Sequence, residues 1–385
     1  MTHLQLFLRF LRFGLLAFGG PVAQIAMIRR ELVEEEGWIS GDRFNRLMAV
    51  MQALPGPEAH ELCVHLGIRA KGRIGGILAG LGFMLPGFLL MMALAYAYTR
   101  LRIEGTLLAA LFLGVQAGVI ALIIRAVHRI GAHILENHWL WLIAAGALIA
   151  SLFGASFWIV LPAAGLAHAL LSSGRNWLAA AVIAAAGALS AWVLSLPAPP
   201  APPAAFAQPT VAALFWSGLK GGLLTFGGAY TAIPFIRADT VGRGWMTDAQ
   251  FLDGLGLSGI LPAPLVIFAT FVGWVSGGPA GALAITAGMF LPAFAFSLLF
   301  YERLEAAVED ARLHHFLQGV AAAVVGLIAV TLIGLARSAQ AETPNVAASA
   351  AIILLSLLLL YRWQNRLNTL AVICGAAAAG MLFLR

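Results

Sequence analysis

Two short patterns in this chain have residue types and spacing that could do chemistry. They are Phe18-Gly19-Gly20-Pro21 and Leu54-Pro55-Gly56-Pro57-Glu58. Two prolines two residues apart remove backbone donors and clash with the preceding helical turn. A Gly-Gly pair permits unwound backbone. Each pattern interrupts an apolar stretch, so each breaks a helix. A broken helix exposes an N-terminus whose free N–H groups and positive dipole end attract anions. Both patterns recur later, as Phe226-Gly227-Gly228-Ala229 and Leu261-Pro262-Ala263-Pro264. The chain therefore offers four broken ends, two from each half. Packing kinks would use the same residue types, but duplication of both patterns favours a shared cavity.

Polar side chains near the breaks could complete an anion site. Lys220 lies six residues before Phe226, within an apolar stretch. Such a lysine either faces a site or reaches for the membrane surface. Arg29 and Arg237 each stand eleven residues after their motif phenylalanine. A guanidinium suits a tetrahedral oxyanion, although a loop-end orientation charge would look the same. Gln24 and Tyr230 flank the Gly-Gly pairs and could donate hydrogen bonds. Glu58 follows Pro57 directly, at a helix start. It is the first candidate for a proton relay, and its repeat partner is Leu265, so that role belongs to one half. His60, Glu61 and His65 lie on the same helix; Asp239 and Asp253 are weaker candidates. Two tempting motifs fail. His60-Glu61-x-x-x-His65 spaces its histidines five apart, whereas a zinc helix needs four. Gly254-x-Gly256-x-x-Gly259 has no strand before it and reads as small-residue packing. No metal site, cofactor or catalytic residue is expected.

The elements that must position these residues are membrane helices. The chain has 385 residues, 61% hydrophobic and 10% charged. A soluble domain carries about a quarter charged residues. This chain could not cover its own surface in water, so the lipid bilayer is its solvent. The net charge of +6 is scattered between apolar segments. It reads as membrane orientation rather than nucleic-acid binding. Cys63 and Cys374 give neither a disulfide framework nor a metal spacing. Residues 4–18 are apolar, but Arg9 and Arg12 interrupt them and the segment recurs, so it is not expected to be a removable leader.

About thirteen transmembrane helices are expected. The first half gives 4–28, 44–68, 74–98, 106–126, 138–153, 155–171 and 176–196. The second gives 210–236, 250–274, 278–300, 315–336, 346–361 and 367–384. The expected organisation is a repeat over 1–196, a Pro/Ala-rich linker over 197–209, and a second repeat over 210–385. Matched residues support the duplication: Ile28-Arg29 with Ile236-Arg237, Gly37-Trp38 with Gly244-Trp245, and Phe44 with Phe251. Gly67, Gly75, Gly82 and Leu85-Pro86-x-Phe88 recur as Gly273, Gly281, Gly288 and Leu291-Pro292-x-Phe294. The offset drifts only from 208 to 206. Seven spans between equivalent points would invert the second repeat, giving an all-α polytopic protein of two inverted-topology repeats with broken helices.

Orientation follows the lysines and arginines of short loops. Arg69, Lys71 and Arg73 mark a cytoplasmic loop. Alternation puts Arg125/Arg129, Arg175, Arg237/Arg243, Arg303/Arg312, Arg362/Arg366 and the N-terminus on the same side. The loop bearing Arg29, Arg30, Arg43 and Arg46 then falls outside, against the rule.

These residues resemble the chromate ion transporter family, in its long, two-repeat form. In the first half the resemblance is carried by Phe-Gly-Gly-Pro-Val-Ala-Gln from Phe18, Arg-Arg-Glu-Leu-Val-Glu-Glu from Arg29 and Ala-Leu-Pro-Gly-Pro-Glu-Ala from Ala53. In the second it is carried by Thr-Phe-Gly-Gly-Ala-Tyr-Thr-Ala-Ile-Pro-Phe from Thr225, Gly-Trp-Met-Thr from Gly244 and the thirteen residues from Leu261. It covers about 1–130 and 210–335. It implies chromate export across the bacterial inner membrane, driven by protons and conferring chromate resistance. Sulfate has the same shape and charge, so sulfate or another oxyanion, exported or taken up, is the alternative. An intramembrane enzyme would need a nucleophile–base pair or metal cluster, and a non-transporting scaffold would not need duplicated breaks. The oligomeric state is open, a homodimer included.

Overall fold

A computed structural model describes residues 1–53, 55–101, 106–196, 208–299, 311–363, 365 and 367–385, with the backbone alone at 46, 49, 50, 52, 53 and 311. Leu54, Arg303, Arg366 and residues 197–207 of the expected linker lie outside these residues. The described chain is all-helical. In the first half the helices are α1 (His3–Leu15), α2 (Gly20–Ile28), α3 (Gly41–Ala53), α4 (Glu58–Arg100), α5 (Leu107–Ile134), α6 (His138–Leu152), α7 (Phe157–Ser172) and α8 (Asn176–Ser195). The second half has α9 (Val211–Leu223), α10 (Ile233–Thr240), α11 (Asp248–Ile260), α12 (Phe268–Leu299), α13 (Ala311–Glu342), α14 (Val346–Arg362) and α15 (Asn368–Phe383). A π-helical turn (Arg29–Glu35) continues α2. Among the described residues, five helical segments are long and apolar enough to cross a membrane, and four shorter apolar helices accompany them.

Although continuous by hydrogen-bond pattern, α4 folds back on itself. Its backbone leaves the helical region at Lys71 and Gly72, and Gly72 takes φ 65°. Beyond that turn, arm 73–100 runs beside arm 58–70. The arms touch at Gly67 against Gly75 and Ala79, and at Gly76 against the Val64 carbonyl. A methyl at Gly67 would come within 2.5 Å of both the Gly75 carbonyl oxygen and Ala79. The turn therefore needs Gly72 for its dihedral angles and Gly67 for its contact. In α12 the same device recurs. Its turn lies at Gly277 and Gly278, with Gly278 at φ 64°, and Gly273 packs on Gly281. The expected spans 74–98 and 278–300 correspond to the second arms, whereas the first arms hold only the last part of the expected spans 44–68 and 250–274.

The four broken segments differ from the expected crossings. Residues 4–28 do not run as one span, because α1 stops at the Gly-Gly break and α2 leads back. Arg9 pairs with Glu31 at 3.2 Å and also with Glu36, and Arg12 pairs with Glu31 at 3.0 Å. Trp38 lies under Arg9, its ring centroid 5.3 Å from the guanidinium. A cleft of about 350 Å³ is lined by Met1, Glu36, Trp38, Arg69 and Ala70 among others. The N-terminus, the Gly37-Trp38 loop and the Lys71 turn thus share one end of the protein. Helix α3 starts at that end too, where Arg43 and Arg69 both act on His65, and arm 58–70 returns there. The expected outside position of Arg29, Arg30 and Arg43 is corrected: they lie at the end that holds the Lys71 turn. The cause is local: each break ends its helix after about 20 Å, short of the roughly 30 Å hydrocarbon core. In the second half α10 doubles back along α9, with Ile236 against Gly221, and α9 starts at the Gly278 turn, where Leu214 meets Gly277. Arg237 and Arg243 therefore point to that end, which Trp274 and Thr99 place away from the Lys71 turn, and their expected position on the Lys71 side is corrected as well.

Cα proximity divides the chain into two compact units, and each takes segments from both halves. The first contains residues 1–125, 208–301 and 335–385. Inside it α5 crosses α15 where Gly114 and Gly118 meet Ala376. The second contains 126–207 and 302–334. There Gly319 and Gly326 of α13 pack on Ala164 of α7 and Ala144 of α6. In both units a glycine lets backbone approach backbone, the usual means of helix association in lipid.

The shared end is testable with an impermeant maleimide in intact cells, after Cys63 and Cys374 are replaced by alanine. Ser40→Cys and Arg73→Cys should label from the same side of the membrane. Labelling from opposite sides would restore 44–68 as a full crossing.

Candidate anion site at four helix breaks

Each break has the backbone its residues dictate. Gly19 (φ 90°) and Gly20 (φ 77°) turn the chain into α2, with Pro21 in the first turn, where no N–H is missed. Gly227 (φ 70°) and Gly228 (φ 129°) do the same before a short 3-10 turn (Ala229–Ala232) that leads into α10. Pro55 and Gly56 end the α3 side, and extended Pro57 caps α4. Pro262, Ala263 and Pro264 end α11, and a 3-10 turn (Leu265–Ile267) opens α12.

The breaks of one half are closed by those of the other. Gln24 on α2 donates through Nε2 to the Ala17 carbonyl at 2.8 Å and to the Ala263 carbonyl at 3.1 Å. The backbone N–H of Gly56 donates to the Thr225 carbonyl at 2.9 Å. Ala17 and Thr225 are repeat equivalents, each just before its Phe-Gly-Gly. Packing follows the same rule: Gly56 rests on Ala293 of α12, and Ala263 rests on Gly87 of α4. The two pairs are joined where the 3-10 turns Ala229–Ala232 and Leu265–Ile267 touch, so all four breaks meet in one place. Unwound backbone at that depth has no water to bond, and a partner break supplies what water would. Gln24 Oε1 is buried with no hydrogen-bond partner among the described residues.

The charged candidates are distributed differently from the sequence expectation. Lys220 does not stand alone: its Nζ forms an ion pair with buried Asp239, which Arg243 approaches to 3.5 Å. Arg237 is bidentate to Asp248 at 2.7 and 2.8 Å, and Ser338 adds a hydroxyl at 2.7 Å. Burial pushes the Asp248 carboxyl up, but Arg237 and Ser338 outweigh it and hold the group below its ordinary value. This clamp is intact at neutral pH and is lost only as pH falls through that lowered value. Arg29 pairs with Glu34 at 3.1 Å and stacks on Phe44. These three cations, expected at the anion site, are thus each tied to a carboxylate. Glu58 and Tyr230 are half-buried beside their breaks.

Two groups carry more than the sequence assigned to them. Glu61 is fully buried, and neither carboxylate oxygen has a hydrogen-bond partner among the described residues. Its Oε1 lies against Gly56, on the side where a Cβ would stand. Asp253, also buried, accepts from Tyr98 at 2.8 Å and from Gln116 at 2.9 Å, joining α11 to α4 and α5. A carboxylate one helical turn inside a Pro-x-Pro break was the available signal for Glu61. Nothing in the spacing pointed to Tyr98 or Gln116.

Helices of this length and composition, with broken helices converging inside, define a multi-pass membrane protein. The family description "Chromate transporter" matches residues 4–169 and 212–381, and the chain belongs to that family. It is 62% identical over 385 residues to a chromate transport protein of Pseudomonas aeruginosa, covering 99% of this chain and 92% of that one. It is 30% identical to a chromate transport protein of Cupriavidus metallidurans, over 99% and 93%. It is 26% identical to an uncharacterised transporter of Methanocaldococcus jannaschii, over 100% and 95%. No solved structure matches.

The Lys220–Asp239 pair separates a structural from a substrate role. Lys220→Met should destabilise the protein by about 3 kcal/mol, because it leaves buried Asp239 with only the longer Arg243 contact. Adding Asp239→Asn should restore most of that stability, read as the detergent unfolding midpoint. Transport that stays abolished in the stable double variant would return Lys220 to the substrate.

Proposed function

We propose that this protein exports chromate, a tetrahedral divalent oxyanion, from the cytoplasm across the bacterial inner membrane. The observation that carries the reading is the meeting of the four breaks, joined by the Gln24–Ala263 and Gly56–Thr225 hydrogen bonds. The seat is lined by Gly19, Gly20, Gln24, Pro55, Gly56, Pro57 and Glu58 from one half. From the other come Gly227, Gly228, Tyr230, Pro262, Ala263 and Pro264. Backbone N–H groups and helix N-termini are its donors, and they suit an oxyanion of either metal or sulfur. The two chromate transport proteins that align over 99% of this chain favour chromate over sulfate. Because Arg29, Lys220 and Arg237 are already paired, the attraction is spread over dipoles. A seat without a dedicated cation binds a dianion weakly enough to let it go.

Transport works by alternating access between two inverted repeats, 1–196 and 210–385, joined by the linker 197–209. Support for inversion comes from arm 73–100 of α4. It starts at the Lys71 turn, and its far end meets the neighbourhood of the other turn, where Trp274 donates to Thr99 at 3.3 Å. At 1.5 Å per residue the two turns lie about 40 Å apart, one at each membrane face. The proton motive force drives export. Its electrical part alone favours outward movement of a dianion by roughly 4.6 kcal/mol per 100 mV.

In energised everted vesicles, radiolabelled chromate should accumulate, and an uncoupler should abolish accumulation. Pro57→Ala, which rebuilds helix through the break, should reduce the rate at least tenfold. Movement of sulfate without chromate would keep the architecture and change the substrate. No movement of either would sink the transporter reading.

A further inference from the structure

Glu61 does nothing for the fold that an apolar side chain would not do better. It is fully buried in arm 58–70, yet neither oxygen is hydrogen-bonded by a described residue. Burying a carboxylate without partners is costly, and natural cores avoid it unless the group has a task. Its position suggests the task. The Pro55-Gly56-Pro57 break leaves the α4 N-terminus open, and Oε1 lies on the bare face of Gly56 inside that break. Gly56 has φ 146°, so no side chain competes for the space. A carboxylate there occupies the ground where an oxyanion would meet the same N-terminus.

The neighbours of Glu61 offer it little compensation. On its own arm the titratable groups are Glu58, which repels it, His60, the buried thiol of Cys63 and, a turn further, His65. His60 stands edge-on between Phe290 and Phe294, 4.9 and 4.7 Å from their ring centroids. From α12 the break receives Ala293. From the end of α9 it receives Thr225, while Lys220 a turn earlier is bound to Asp239. From α2 comes Gln24, whose Nε2 is spent on the two carbonyls. No described cation neutralises the carboxylate.

We propose that Glu61 is the proton-binding group of the transporter: an ionised Glu61 and a bound oxyanion exclude each other, so each anion that enters the seat brings one proton onto Glu61. This rests on the anion-export reading above and names the group that joins anion to proton: the proton leaves with the anion, so the complex that crosses carries one net negative charge and is driven outward by the electrical part of the proton motive force, against the pH gradient. The exclusion has two sources, charge repulsion at close range in a water-poor site and competition for one helix N-terminus. Binding linkage makes the effect reciprocal. Where free Glu61 is ionised, chromate affinity should fall by up to about tenfold per pH unit. Glu58, which sequence alone put first, is only half-buried at the mouth of the break.

The test uses the purified full-length protein in weakly buffered detergent, with chromate as the probe in the alkaline range where it stays a dianion. Adding chromate to the unmodified protein should take up close to one proton per anion bound, and Kd should rise with pH. Glu61→Gln should still bind chromate, with a pH-independent Kd and no proton uptake. Proton uptake that survives in Glu61→Gln, or vanishes only in Glu58→Gln, would overturn the assignment while leaving chromate transport intact. Binding by the unmodified protein with no proton uptake would also overturn it, and needs no variant to fold. Absence of any chromate binding would overturn the export reading and this inference together.

Discussion

Backbone polar groups left open inside lipid must be bonded, and at four places this chain opens them deliberately. That requirement governs the interior. A Pro-x-Pro or Gly-Gly break at mid-depth cannot rely on water, so each must find a partner that is itself irregular. The Gly56 N–H finds the Thr225 carbonyl, and the Ala263 carbonyl finds Gln24. The partners come from opposite halves, so the two repeats are tied at the point where each is weakest as a helix. A site built this way exists only when both halves are in place.

Glycine does the complementary work. The hairpins at Gly72 and Gly278, and the close approaches at Gly67, Gly114 and Gly326, bring backbones together where lipid offers no hydrophobic drive between helices. Aromatic residues then fill the space between arms. Phe290 and Phe294 of α12 hold His60 of α4 from two sides. The charges are kept at the ends, in pairs such as Arg12–Glu31 and Arg237–Asp248. The interior retains Glu61 and Asp253, the former without a hydrogen-bond partner among the described residues and the latter held by Tyr98 and Gln116.

Much of this was legible in the residues. Composition set the solvent, and the matched Gly and Pro positions exposed the duplication. The breaks were read correctly as breaks, because Pro and Gly act on the backbone locally. The direction of the chain after a break was not legible, since collinear and folded-back arms use the same residues. The arginines do not reveal it either: the reversals bring Arg29, Arg30 and Arg43 to the Lys71 end but take Arg237 and Arg243 away from it, so the orientation rule gains in one half what it loses in the other. The partners of Lys220 and Arg237 also stayed hidden. Pairing a cation with Asp239 or Asp248 depends on how α10 and α11 fold back, which no local pattern encodes. On sequence alone Glu61 stands below Glu58, because depth inside a break is a tertiary property.

The way helices are shared between the compact units bears on how the protein is made. The first unit needs residues 335–385, including α15 against Gly114 and Gly118 of α5. The N-terminal segments therefore wait in the bilayer, with α5 lacking its neighbour, until α15 has left the ribosome. The second unit needs only residues 126–207 and 302–334 and can close earlier. Synthesis thus runs in the reverse of the usual order, in which N-terminal parts fold first. The unit that bears the breaks is completed only when α15 packs on α5 and α11, so a ribosome that stalls before α15 leaves that unit open on one side within an otherwise inserted protein.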